Sequence, residues 1–151
     1  MQRVFYAGGH AARSILPSLT WNASMNKVLI VEDHADIRRL IRMTLEFEEC
    51  EILEASSGEA GLMLAASELP DVVLLDVMMP GAMDGLEVCR RLKAAPGLAH
   101  TRVVMLSACG TAADVQRGTE AGADAYVVKP FSPLLLTSLV EGFVRSSGVA
   151  A

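Results

Sequence analysis

Apolar residues along this chain come in short unbroken runs, separated by segments of helical period. Lys27–Val31 (KVLIV), Asp71–Leu75 (DVVLL), Arg102–Leu106 (RVVML) and Ala125–Val128 (AYVV) are rich in β-branched residues and show no polar alternation. Such runs suit strands buried on both faces. Glu51–Ala55 is half polar and predicts a strand at a sheet edge. Between these runs the period lengthens. Asp36–Glu46 sets Ile37, Leu40, Ile41, Thr44 and Leu45 on one stripe, with Arg38, Arg39 and Arg42 opposite. Ser57–Ser67 opens on a residue able to cap a helix. Asp84-Gly-Leu-Glu87 has the pattern of a capping box at the start of a helix reaching Ala94. Thr111–Ala121 reads as a helix stopped by Gly122. Ser132-Pro133 supplies a cap and a first-turn proline for a last helix ending near Arg145, and Ser146–Ala151 is expected to fray.

Five strands alternating with five helices imply an α/β fold, a doubly wound parallel sheet covered on both faces. Residues 1–24 stand outside this pattern. They hold Arg3, Arg13, the only Trp and no acid, and they have no sustained period. They are expected to be a disordered extension, a vector remnant or the product of an upstream start codon. The organised domain is then 25–146, with 147–151 as a frayed tail.

Composition sharpens this picture at two points. The chain is 52% hydrophobic, but no uncharged stretch nears the ~18–20 apolar residues of a spanning helix. Neither membrane nor nucleic acid is expected as a partner. The net charge is -5, and without Arg3 and Arg13 the remainder carries 11 basic and 18 acidic residues, about -7, with no basic stripe to neutralise phosphates. Three widely spaced cysteines, Cys50, Cys89 and Cys109, fit neither a redox pair nor a zinc pattern, so a reducing cytoplasmic location is expected.

In doubly wound sheets, ligands bind beyond the carboxyl ends of the strands. Glu32 and Asp33 follow the first strand, Asp76 the third, Ser107 and Ala108 the fourth, and Lys129 and Pro130 the fifth. Each alone has an ordinary reading as a helix cap or a solvated loop residue. Together they bring three carboxylates, a hydroxyl and an ammonium to one rim. Carboxylates so close raise one another's pKa. A hard divalent cation relieves that repulsion, Mg²⁺ above all, and a facing lysine completes a pocket for a dianionic phosphoryl group.

The segments VLIVEDHADIRRLIR, VVLLDVMMPGAMDGLEVCRRLK, VVMLSA and GADAYVVKPF resemble the receiver domain of two-component response regulators, over about Lys27 to Arg145. The resemblance implies a flavodoxin-like five-stranded parallel sheet of order 2-1-3-4-5. It implies that Asp76 accepts a phosphoryl group from a histidine kinase or a histidine phosphotransfer protein. Asp33, Asp76 and the backbone carbonyl of Met78 would ligate Mg²⁺ or Mn²⁺, with Glu32 acting through a bound water. Lys129 would pair with a phosphoryl oxygen, and Ser107 would turn toward it. Small Ala108 would leave the pocket mouth open. Tyr126 would be the switch aromatic, turning inward with Ser107, and Pro130 would follow a cis peptide. Signalling to a downstream protein, or pairing with a second copy, would use the face of the fourth helix, fifth strand and fifth helix. Such a protein catalyses only its own phosphorylation and dephosphorylation and is otherwise not an enzyme.

The loop Pro80-Gly-Ala-Met-Asp-Gly85 departs from the family by one extra residue beside the metal-binding backbone. Only six residues follow Arg145, so the expectation is a stand-alone receiver, CheY-like, with a receiver excised from a hybrid kinase or larger regulator as the alternative. A phosphatase with an aspartate nucleophile would need a second aspartate where Met78 stands. The last helix carries Leu134, Leu135, Leu136, Leu139, Val140, Phe143 and Val144, more apolar residues than one core face requires, and contact with a partner is expected there.

Overall fold

The computed structural model describes residues 4–6, 26–46 and 49–147. Six strands are present among them: β1 (Val4–Tyr6), β2 (Asn26–Val31), β3 (Cys50–Ala55), β4 (Val72–Asp76), β5 (Arg102–Ser107) and β6 (Ala125–Val128). Five α-helices alternate with them from β2 onward: α1 (Ala35–Leu45), α2 (Gly58–Glu68), α3 (Gly85–Ala94), α4 (Ala112–Glu120) and α5 (Pro133–Ser147). The sheet order is β1-β6-β5-β4-β2-β3. β2 through β6 are mutually parallel in the expected 2-1-3-4-5 arrangement.

β1 corrects the expectation for residues 1–24. Val4–Tyr6 is not a loose extension but a strand, antiparallel to β6, which widens the sheet to six strands. No local period announced it; three residues become a strand only because an open sheet edge lies beside them. The rest of 1–24 falls outside the described residues. At the other end, α5 continues through Ser146 to Ser147, beyond the expected stop near Arg145. No proline or glycine intervenes before Gly148, and serine is tolerated in a final turn.

Strand periodicity divides the core in two. Leu29, Val31, Val73, Leu75, Val103 and Met105 face α2 and α3 through Ala65, Val88, Cys89 and Leu92. Their neighbours Val28, Ile30, Val72, Leu74, Val104 and Leu106 face α1 and α5 through Ile41, Leu45, Leu136, Leu139 and Val140. β4 is buried along its whole length, whereas β3 is the half-exposed edge its polar pattern predicts. Burial of Cys89 against α3's neighbours pushes its thiol up to about 11, which makes it an inert core residue.

Caps delimit the helices much as read. The Ser57 side chain accepts from Ala60 N at 3.1 Å, and Ser132 accepts from Leu135 N at 3.3 Å. At Asp84 only half of the capping box forms. Its side chain accepts from Glu87 N at 3.0 Å, while Glu87 turns instead to Arg90 and Arg91. The reciprocal box appears at α4, between Thr111 and Asp114.

α2 ends in a left-handed turn made by Leu69, with φ of 50°. A side chain there is strained where glycine is not. Leu69→Gly is therefore expected to raise stability by roughly 0.5–1 kcal/mol, less the packing lost by a half-exposed leucine. Chemical denaturation reads the sign; a net loss would mean that the side chain outweighs the turn.

Candidate functional site

The carboxyl ends of β2, β4, β5 and β6 meet at one rim, and backbone bonds hold them there. Glu32 N donates to Ala55 O at 3.0 Å, Val77 N to Leu106 O at 3.0 Å, and Lys129 N to Ser107 O at 2.7 Å. Each side chain singled out in the sequence therefore arrives on a rigid strand end. Glu32, Asp76 and Ser107 are all buried, and Asp33 is half-buried.

Lys129 reaches across this cluster. Its Nζ lies 3.5 Å from Glu32 Oε1 and 3.4 Å from Asp76 Oδ1. Asp76 Oδ1 also accepts from Met78 N at 3.3 Å. Glu32 Oε2 and Asp33 Oδ1 are buried and have no hydrogen-bond partner. Two orphaned acid oxygens beside a third carboxylate are costly unless a cation or a proton arrives. One ligand atom from each of Glu32, Asp33, His34 and Asp76 lies within 4.8 Å of the others.

His34 stands at the N-cap of α1. It is exposed and makes no side-chain cap for α1, yet its Nδ1 stands 3.4 Å from Glu32 Oε1 and 3.3 Å from Asp33 Oδ1. Its position directly after the acidic pair was the only available signal, and solvated helix starts share that signal.

Burial raises the Glu32 carboxyl to about 7, and the neighbouring Asp76 carboxyl adds to this, while Lys129 pulls in the opposite direction. The folded protein without a cation thus keeps a proton that the unfolded chain, near 4.5, has released. The folded state binds more protons across that window, so stability must fall as pH rises from about 4.5 to about 7. The expected loss is on the order of 3 kcal/mol, from about 2.5 pH units at 1.36 kcal/mol each. Urea unfolding in EDTA across this range should show it, and Glu32→Gln should flatten the slope. An equal slope in that variant would sink the assignment.

The remaining residues frame the mouth. Ser107 Oγ accepts from Cys109 N at 3.0 Å. Ala108 is exposed, and the side chains of Cys109 and Met78 approach each other to 3.9 Å between sulfurs. The Lys129–Pro130 peptide is cis. Tyr126 is buried in the inward orientation, its hydroxyl donating to the Cys109 carbonyl at 2.7 Å. Gly85, at the start of α3, lies against the backbone of Asp76: a Cβ there would stand 2.3 Å from the Asp76 carbonyl oxygen. The sequence pattern marks Gly85 only as a helix start; this contact exists because two distant segments meet there.

Among the described residues, no helix is long and apolar enough to cross a membrane. The profile of the response regulator receiver domain matches residues 28–141. The transcriptional regulatory protein ResD of Bacillus subtilis is 44% identical over 119 residues, covering 79% of this chain and 48% of ResD. The response regulator PleD of Caulobacter vibrioides is 40% identical over 119 residues, 79% of this chain and 26% of PleD. The chain thus spans about half or less of these relatives. The solved chemotaxis protein CheY4 of Vibrio cholerae superposes with a TM-score of 0.73 at 31% identity, covering 78% of this chain and 98% of CheY4. A chain whose matched region holds the acidic rim, the facing lysine and the whole parallel sheet belongs to the receiver-domain family of two-component response regulators.

Proposed function

We propose that this receiver takes a phosphoryl group on Asp76 from the phosphohistidine of a histidine kinase or a histidine phosphotransfer protein. The carrying observation is the meeting of Asp76 with two orphaned acid oxygens and the Lys129 ammonium at one buried rim. An Asp76 carboxylate oxygen forms the new bond to phosphorus as the phosphorus–nitrogen bond to the donor histidine breaks, leaving an acyl phosphate and a free imidazole. Lys129 holds charge on the phosphoryl oxygens, and Ser107 stands ready to donate to one of them.

The orphaned oxygens of Glu32 and Asp33 suit a hard divalent cation, and Asp76 would share it. When bound, Mg²⁺ or Mn²⁺ offsets the charge of the transferring group, the main requirement of a loose transition state. Ala108 leaves the approach open. The protein acts on itself and turns over no separate substrate. Its place is the cytoplasm, where unbridged cysteines such as Cys89 and Cys109 are ordinary. Output passes by protein contact through the face of α4, β6 and α5. A second reading, the input module of a larger regulator, is favoured by the relatives' greater length and by the transcriptional role in ResD's name; transcript mapping separates the two.

Acetyl phosphate with Mg²⁺ should add one phosphoryl group by intact mass, and EDTA should prevent it. Peptide mapping that places the label anywhere but Asp76 would overturn the assignment.

A further inference from the structure

β1 lies antiparallel along the outer edge of β6, with Val4 opposite Val127, Phe5 opposite Tyr126 and Tyr6 opposite Ala125. A strand edge offers unpaired N–H and C=O groups and readily accepts another strand. Three residues do not form a strand alone, so the groove must hold them. Residues directly opposite in an antiparallel pair share a face of the sheet. Phe5 therefore joins the core that contains Tyr126, Met105 and Ala121. Val4 joins the core that contains Val127, Leu136, Leu139 and Val140. β1 is thereby anchored on both faces, between the α4 side and the α5 side of β6.

The Tyr126 ring is walled in. A Cβ on Gly118 of α4 would stand 2.8 Å from Tyr126 Cδ2, and Met105 packs in the same core. Phe5, opposite Tyr126 in the sheet, packs against the same core from the sheet edge. The Tyr126 hydroxyl meanwhile holds the carbonyl of Cys109, two residues beyond Ser107 at the rim.

We propose that the outer edge of β6 is a strand-docking groove whose resident ligand is Val4–Tyr6 of the same chain, and that Phe5 locks Tyr126 inward. Chain length favours this occupant. Nineteen residues separate Tyr6 from Asn26. The antiparallel sense brings Tyr6 to the Ala125 end of β6, the rim at which β2 also begins. The gap is about four strand spacings, roughly 19 Å, and nineteen residues reach about 60 Å. Any partner that needs the β6 edge, or Tyr126 turned outward, must first displace β1. The inference concerns the β6 edge and the Tyr126 ring beside it, and stands whether or not Asp76 is phosphorylated.

Two readouts on the same samples test it: amide exchange of β6 and nitration of Tyr126 by tetranitromethane, followed by peptide mass. The samples are the full chain, a variant lacking residues 1–6, and full-length Phe5→Asp. Loss of β1 should speed exchange of the β6 amides that point away from β5 by about tenfold or more. It should also speed nitration of Tyr126 severalfold. Unchanged exchange in both variants overturns the docking, and faster exchange with unchanged nitration overturns the lock. Protection that returns in the deletion variant as concentration rises means that a second copy takes the vacated edge, which supports the groove and identifies β1 as its competitor.

Discussion

Asp76→Asn is expected to abolish phosphoryl incorporation from acetyl phosphate and, in metal-free buffer, to make the protein more stable. The two effects have one origin. The amide cannot act as the nucleophile, so the intact mass should show no added phosphoryl group under conditions that label the parent chain. The same change removes one negative charge from a site where Glu32, Asp33 and Asp76 crowd within 4.8 Å. Unit charges about 4 Å apart repel by about 1–4 kcal/mol at effective dielectric constants between 80 and 20. Part of that repulsion is what lifts Glu32 to about 7. Its removal should let Glu32 ionise nearer its ordinary value and raise stability at pH 8 in EDTA by on the order of 1–2 kcal/mol. Lys129 then keeps Glu32 as its remaining partner at 3.5 Å. Labelling of the variant to the parent's extent would refute Asp76 as acceptor. Lower stability at pH 8 would show that the Lys129 and Met78 contacts to Asp76 outweigh the repulsion.

Gly85→Ala should be among the most damaging single-methyl additions in the chain. A Cβ at Gly85 would stand 2.3 Å from the Asp76 carbonyl oxygen and 2.6 Å from Val77 Cα, both of them backbone atoms. Neither can swing aside as a flexible side chain can. The start of α3 would have to move off β4, breaking the bond from Gly85 N to Val77 O at 2.9 Å. Overpacking commonly costs 1–3 kcal/mol, and a clash with backbone belongs at or above the upper end, about 3 kcal/mol or more. Because the strain falls on Asp76, the proposed acceptor, labelling should fall as well in whatever protein remains folded. Gly142 provides a contrast of opposite sign. It lies in α5, and a Cβ there would meet nothing within 4 Å. Gly142→Ala should stabilise by about 0.5–1 kcal/mol through helix propensity. Denaturant midpoints for the two variants settle the comparison; similar midpoints would mean that the backbone at Asp76 yields more easily than its packing implies.

The amino-acid sequence by itself determined the alternation of five strands and five helices, the burial of β2, β4 and β5, and the convergence of Glu32, Asp33, Asp76, Ser107 and Lys129 on one rim. Each of these follows from local period or from position relative to a strand end, and in a parallel sheet every strand end points the same way. The cis Lys129–Pro130 peptide was legible through family resemblance. Four features were decided only by tertiary structure. Val4–Tyr6 has no period of its own and is a strand because the β6 edge beside it was open. His34 joins the acidic cluster because the start of α1 brings its ring back over the residues just before it. Gly85 must be glycine because β4 and α3 meet there with no room for a Cβ, a contact between backbones that side-chain pattern does not encode. The surplus of apolar residues on α5 is mostly absorbed into the core by Leu136, Leu139 and Val140, while Leu134 stays exposed. Local sequence specifies which face of an element is apolar; what covers that face depends on segments far away in the chain.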